Sequence, residues 1–362
     1  MAMRPTVAII LPPREGFAAE AVGAVGLLVR RHVQACPEFA SVVLGLPQAR
    51  PFPEVDFRAV RPSWFPGNAT RRYAGGVARA LRALQPDLIE VHNRPDVALF
   101  LAGRFPAIPV TLFLHNDPQG MRGARTLAER QRLTNRLARI IPVSAYIGGR
   151  MPPSGKIVVL PNCLDLASIP AFPAERDKTI LFAGRVVVDK GADSFVAACA
   201  RALPLLPGWR AEMIGADRFR ADSPDTPFLR GLRTVAEAAD IAMLGYRPHA
   251  DVLAAMVRAA IVVVPSRWPE PFGLTALEAL ACGATLLYAP NGGLPEVAGD
   301  AGIAIDAENI EGMATALVQA AANPAPCPAR AAGFGLGPIG AALGALRRQT
   351  LDAWSRRPSA PI

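Results

Sequence analysis

The chain has 362 residues, of which 51% are hydrophobic and 19% charged, a globular composition that excludes a disordered or low-complexity chain. The formal net charge of +9 favours anionic partners, but the basic residues are scattered and aromatics make up only 6%, so no nucleic-acid module is outlined. The five cysteines, Cys36, Cys163, Cys199, Cys282 and Cys327, form no CxxC pair; they point to neither a zinc site nor a disulfide framework and fit a reducing cytoplasm.

The chain opens with "MAMRPTVAIILPPREG", whose apolar core is too short for a signal peptide and reads as a first strand. Short β-branched runs then alternate with Ala/Leu/Arg-rich helical stretches. Strands are expected at 6–11, 41–46, 55–60, 88–93, 110–115, 139–144 and 156–161. After a break at 166–178, "LASIPAFPAERDK", they resume at 179–184, 211–216, 241–246, 261–266, 284–289 and 302–307. Such alternation predicts two doubly wound α/β domains in tandem, facing each other across a cleft. The expected bounds are 1–168 for an N-terminal domain and 169–335 for a C-terminal one. A tail helix over 336–362 is expected to pack back toward the N-terminal domain. The stretch nearest to a membrane span, Ala331 to Leu346, is short and interrupted by glycines and Pro338, so membrane contact would be peripheral.

Ligands of such sheets bind beyond the carboxyl ends of the strands, and polar residues gather there. The first loop, "PPREGFAAEAVG", places Gly16 before a helix as a phosphate approach, without a GxGxxG pattern. "LIEVHNRP" and "LFLHND" end two strands with His92 and His115, two of only four histidines. "LFAGRVVVDKGAD" sets Gly184, Arg185 and Lys190 just after a strand, with Gly191 opening the next helix. Read from the residues alone, Arg185 and Lys190 are either a diphosphate clamp at a helix N-terminus or a solvated basic pair. Lysine occurs only at Lys156, Lys178 and Lys190.

The stretch "PEPFGLTALEALACG" carries Glu270 and Glu278 after a buried strand. Pro271 lacks a backbone donor and Gly273 is a poor helix former, so a helix is expected to start near Phe272 to Leu274 and to end at Gly283. Glu270 then lies in the loop and Glu278 about one turn inside the helix. No GxSxG, HExxH or Walker A sequence is present.

Four stretches, "HND", "VSAYIGGRM…KIVVLPNCLD", "GRVVVDKGAD" and "PSRWPEPFGLTALEALACGATLLYAPNGGLPEVAGDAG", resemble in order and spacing the retaining family-4 glycosyltransferases of GT-B fold, most strongly from Arg139 to Gly302. The resemblance implies two Rossmann-like domains and a nucleotide-diphosphate sugar as donor substrate. It assigns the diphosphate to Arg185 and Lys190 beside Gly184, the donor sugar to Glu270 and the ribose hydroxyls to Glu278. Backbone N–H groups of Phe272, Gly273 and Leu274 would meet the sugar and phosphate, and His115 would lie near the transferred sugar. The base would sit near Gly245 to Arg247. The resemblance implies neither metal nor cofactor. The family's paired glycines in the first loop are missing here, where Gly16 and Phe17 stand instead.

The expected activity is transfer of a hexosyl unit, with retention, to a glycan or lipid-linked acceptor in bacterial lipopolysaccharide or exopolysaccharide synthesis. A basic chain suits cytoplasmic work at an anionic membrane surface. A GT-B nucleotide-sugar epimerase and a non-catalytic nucleotide-sugar-binding protein are the alternatives. A glycosidase acid pair leaves Arg185 and Lys190 without a role.

Overall fold

The computed structural model describes residues 4–19, 22–64, 67–217 and 225–357. Part of the tail expected over 336–362 lies outside these. The chain divides into two compact units, one of residues 1–163 with 336–362 and the other of residues 164–335.

The first unit holds six parallel strands: β1 (Thr6–Ile10), β2 (Ala40–Gly45), β3 (Asp56–Ala59), β4 (Leu88–His92), β5 (Val110–Leu114) and β6 (Arg139–Pro142). Their order is β3-β2-β1-β4-β5-β6. β4 and β5 are buried along their whole length, as apolar strands covered on both faces must be. The run expected to form a further strand at 156–161 does not become one. It makes a single bridge, Ile140 to Ile157, flanked by backbone bonds from Ile140 N to Lys156 O and from Val158 N to Ile140 O. The next residue of β6 that would donate to it is Pro142, which has no N–H; Pro142 O still accepts Leu160 N at 3.0 Å, but the alternate bond is missing and no strand forms.

The second unit has β7 (Asp177–Ala183), β8 (Arg210–Ile214), β9 (Ile241–Gly245), β10 (Ala259–Val264), β11 (Thr285–Tyr288) and β12 (Gly302–Ala304), again all parallel. The order β12-β11-β10-β7-β8-β9 is the same doubly wound arrangement as in the first unit. Each sheet therefore reverses its winding once, between β1 and β4 and between β7 and β10, and those are the places where such folds take ligands. The second unit begins at Leu164 rather than after Ser168. Leu164 pairs with Gly335 and donates its N–H to Phe334 O at 2.8 Å, so the loop that follows is already tied into the second unit.

The helix Leu336–Ser355 belongs to the first unit. Ile339, Leu343 and Leu346 enter that unit's core beside Val29, Phe39 and Leu88. Cys36 Sγ donates to Gly340 O at 3.1 Å, and Trp354 Nε1 donates to Ala107 O at 3.1 Å. The helix is also tied down by charge. Arg347 and Glu90, each 1% exposed, form a two-pronged pair at 2.9 and 2.8 Å. Among the described residues no helix is long and apolar enough to cross a membrane.

Candidate active site

The winding reversal of the second sheet brings the loops after β7 and β10 side by side. At Gly191 the backbone takes φ +67°, and a Cβ there would lie 2.0 Å from Pro265 O, so only glycine fits. Asp189 O accepts the N–H groups of Arg267 and Trp268, both at 2.9 Å. The Arg267 guanidinium donates to Val188 O, to the Asp193 carboxylate and to Ser194 Oγ, at 3.0, 2.7 and 2.6 Å. The loop that carries Lys190 is thus stitched to the loop that carries Glu270.

The stitching has a chemical result. Lys190 Nζ is paired with Glu270 Oε1, and Ser266 Oγ donates to the same oxygen at 2.8 Å. The backbone of Glu270 is held as well, since its carbonyl accepts Gly293 N at 2.7 Å. An ammonium and a carboxylate, both partly buried, therefore stand fixed at the sheet's carboxyl edge.

The helix Leu274–Ala281 begins where the sequence breaks indicate. Gly273 caps it at φ +104°, with no side-chain hydrogen bond to its first N–H groups, which remain as donors toward an anion. Phe272 offers only its backbone, because its ring is buried against Phe334 at 5.9 Å between centroids. Gly283 follows the helix at φ +69°.

A pocket opens at the carboxyl ends of β7, β8 and β9, lined among others by Gly184, Arg185, Gly215, Tyr246, His249 and Glu278. Here Glu278 Oε1 lies 2.8 Å from His249 Nε2. His249 is a site residue that sequence reasoning missed. Its one signal was its place, directly after Pro248 in the strand-to-helix turn next to Gly245–Arg247. Lys190 and Glu270 are not among the residues lining this pocket. The structure thus gathers Gly184, Arg185 and Glu278 at one place and Lys190 and Glu270 at another, on the same edge of one sheet.

Gly16 and His115 lie in the first unit. The expected phosphate approach at Gly16 is already filled. The Glu15 carboxylate accepts Gly26 N at 2.8 Å, at the start of the helix Ala24–Ala35, and Gly16 O accepts Gly23 N. An anion of the chain itself occupies that helix end. Burial raises the Glu15 pKa more than these backbone bonds lower it.

His115 follows β5 and is 8% exposed. Its Nε2 lies 2.8 Å from His92 Nδ1, and the rings of Phe113, His92 and His115 lie within 12° of parallel. His32 packs against His92 and Phe113, and neither of its ring nitrogens has a hydrogen-bond partner. Burial is the main cause that holds all three imidazoles neutral. His115 is pushed down to about 4, His32 to about 3 and His92 well below its ordinary value. Protonating both members of the 2.8 Å pair would also set two donors against each other.

These depressed values make stability depend on pH. Above about pH 6.5 both folded and unfolded histidines are neutral, and their contribution is complete. As the pH falls below that, the unfolded chain takes up protons that the folded chain refuses. Stability is then lost at about 1.4 kcal/mol per pH unit per histidine until the folded value is reached. His32→Leu is expected to make the acid loss shallower by about that slope between about pH 6.5 and 4. Urea midpoints at several pH values measure it; an unchanged slope would show that His32 does not refuse its proton.

Two winding-reversal sheets, with cations, acids and open helix ends at the edge of the second, define the class. This is an α/β protein of GT-B fold. Residues 27–168 match the family model "Glycosyltransferase Family 4" and residues 168–332 match "Glycosyl transferases group 1", the two matches following one another along the chain. It is 28% identical over 277 residues to a glycogen synthase of Mycobacterium tuberculosis, an alignment covering 69% of this chain and 64% of that protein's length. It is 36% identical over 137 residues to a D-inositol 3-phosphate glycosyltransferase of Segniliparus rotundus, covering 36% of this chain and 29% of the relative. In fold it is similar to sucrose-phosphate synthase from Thermosynechococcus elongatus, with TM-score 0.73, 19% identity, and 97% and 100% of the two chains covered. It is equally similar to Anabaena HepE in complex with UDP, with TM-score 0.73, 16% identity, and 95% and 100% covered.

Proposed function

We propose that this protein is a retaining hexosyltransferase that moves a sugar from a nucleotide diphosphate to a glycan or lipid-linked acceptor. The reading rests on one observation above all. Arg185 and Lys190 from the segment after β7, and Glu270 and Glu278 from the segment after β10, stand along the carboxyl edge of one sheet, Arg185 and Glu278 lining its pocket and Lys190 paired with Glu270. The related fold of Anabaena HepE, solved with UDP and with UDP-glucose, supports a nucleotide-sugar donor.

In this reading the bond between the anomeric carbon and the diphosphate oxygen breaks, and negative charge develops on the leaving diphosphate. Arg185, Lys190 and the open N–H groups at Gly273 and Leu274 meet that charge without reorganising. No metal ion or cofactor is invoked. The acceptor oxygen bonds to the same face of the sugar, and its proton leaves to the departing phosphate. Glu270 orients the sugar and Glu278 the ribose. The basic character of the chain suits an anionic, lipid-linked acceptor at the inner face of a cytoplasmic membrane, in lipopolysaccharide or exopolysaccharide synthesis.

Thermal shift against UDP-, GDP- and ADP-sugars tests the donor assignment, because a ligand of the folded state raises apparent stability. One of the three is expected to raise the melting temperature in wild type. Glu278→Ala should weaken its binding by about ten- to a hundredfold with the fold retained. Unchanged affinity in that variant would remove Glu278 from the donor site.

A further inference from the structure

Three of the four histidines pack together in the first unit, and His249 stands apart in the second. It is the first residue of the helix His249–Arg258, behind Pro248. Its side chain is 45% exposed, while that of Glu278, which it contacts, is 10% exposed. Both line the pocket at the ends of β7, β8 and β9.

A carboxylate only accepts hydrogen bonds, so His249 Nε2 must carry the proton in the 2.8 Å contact with Oε1. Among the described residues no other side chain is seen to hydrogen-bond Glu278, which lines the pocket. A glutamate side chain turns freely about several bonds, and ordering it on each binding event costs entropy. The imidazole removes that freedom beforehand. It leaves one oxygen engaged and the other with acceptor capacity for a ligand hydroxyl.

We infer that His249 is a positioning residue for ribose recognition, holding the Glu278 carboxylate so that the pair, not the acid alone, discriminates ribonucleotides from deoxyribonucleotides. The inference rests on the nucleotide-sugar reading of this pocket. His249 touches Glu278 and acts through it. The hydroxyl it selects for is on the sugar of the nucleotide, so its loss falls on ribonucleotide binding and spares whatever the base and phosphates contribute.

The test is calorimetric binding of UDP, ADP and GDP and their 2′-deoxy and 3′-deoxy counterparts to the full chain. Wild type should bind one ribonucleotide more tightly than its deoxy forms. His249→Ala should reduce that discrimination by roughly three- to tenfold, and His249→Gln, which keeps an N–H donor of similar reach, should restore most of it. A merely structural histidine would weaken ribo and deoxy forms alike. Wild-type discrimination in His249→Ala, or tighter ribonucleotide binding in it, overturns the inference. Discrimination lost in Glu278→Ala but kept in His249→Ala leaves the proposed function standing without it. If wild type binds none of the three nucleotides, the function falls and the inference with it.

Discussion

Replacing Lys190 by alanine is expected to lower the rate of sugar transfer by about 10²–10³-fold, the usual cost of removing one fixed donor from a site of developing negative charge. The effect should fall mainly on kcat, because the leaving diphosphate carries more charge in the transition state than in the bound donor. Before the donor binds, Lys190 is compensated by Glu270, which Ser266 also holds. The variant therefore leaves that carboxylate with a neutral donor only, and a small loss of stability accompanies the loss of rate. Lys190→Met, which keeps the apolar stem, should be as slow as Lys190→Ala, since charge rather than packing is removed. Steady-state kinetics with the donor found by thermal shift measure both variants. Turnover near that of wild type in either would withdraw Lys190 from the diphosphate.

The second large effect concerns stability. Glu90→Ala should destabilise the first unit by about 3–5 kcal/mol, because the partner left behind is a buried, unpaired guanidinium. Arg347 and Glu90 are each 1% exposed and bonded through both oxygens, so water cannot replace the lost acid. Replacing both residues by apolar ones of similar volume, Glu90→Leu with Arg347→Met, should recover most of that loss. Urea unfolding followed by circular dichroism compares the single and double variants. A double variant as unstable as Glu90→Ala would mean that the helix Leu336–Ser355 depends on the ion pair itself rather than on its packing.

The strands were legible because a parallel sheet covered on both faces demands uninterrupted apolar runs, and "TVAIIL", "LIEVHN" and "IVVVPS" supply them. The run at 156–161 has the same composition, yet its fate was set by its neighbour. Pro142 in β6 withholds the N–H that a continuing ladder needs. Gly16 shows the same limit. A glycine before a helix marks an anion site only while that helix end is open, and Glu15, one residue earlier, closes it. His249 was missed because nothing in its local sequence separates a ligand-facing histidine from an exposed one. Its meaning comes from Glu278, which is 29 positions away.

By itself the sequence determined local geometry around the two glutamates. Pro271 and Gly273 exclude a continuous helix whatever the surroundings, so Glu270 had to lie in a loop and Glu278 on the helix that starts at Leu274. Which groups these acids meet was decided only by the tertiary structure. Lys190 is 80 positions from Glu270, and the two meet because β7 lies beside β10 in the sheet. Strand order is a property of how whole βα units pack, not of any stretch within them. The same packing sets β9 near enough for His249 to reach Glu278. A pair of acids read from fifteen residues thereby becomes one acid balanced by a lysine and another held by a histidine.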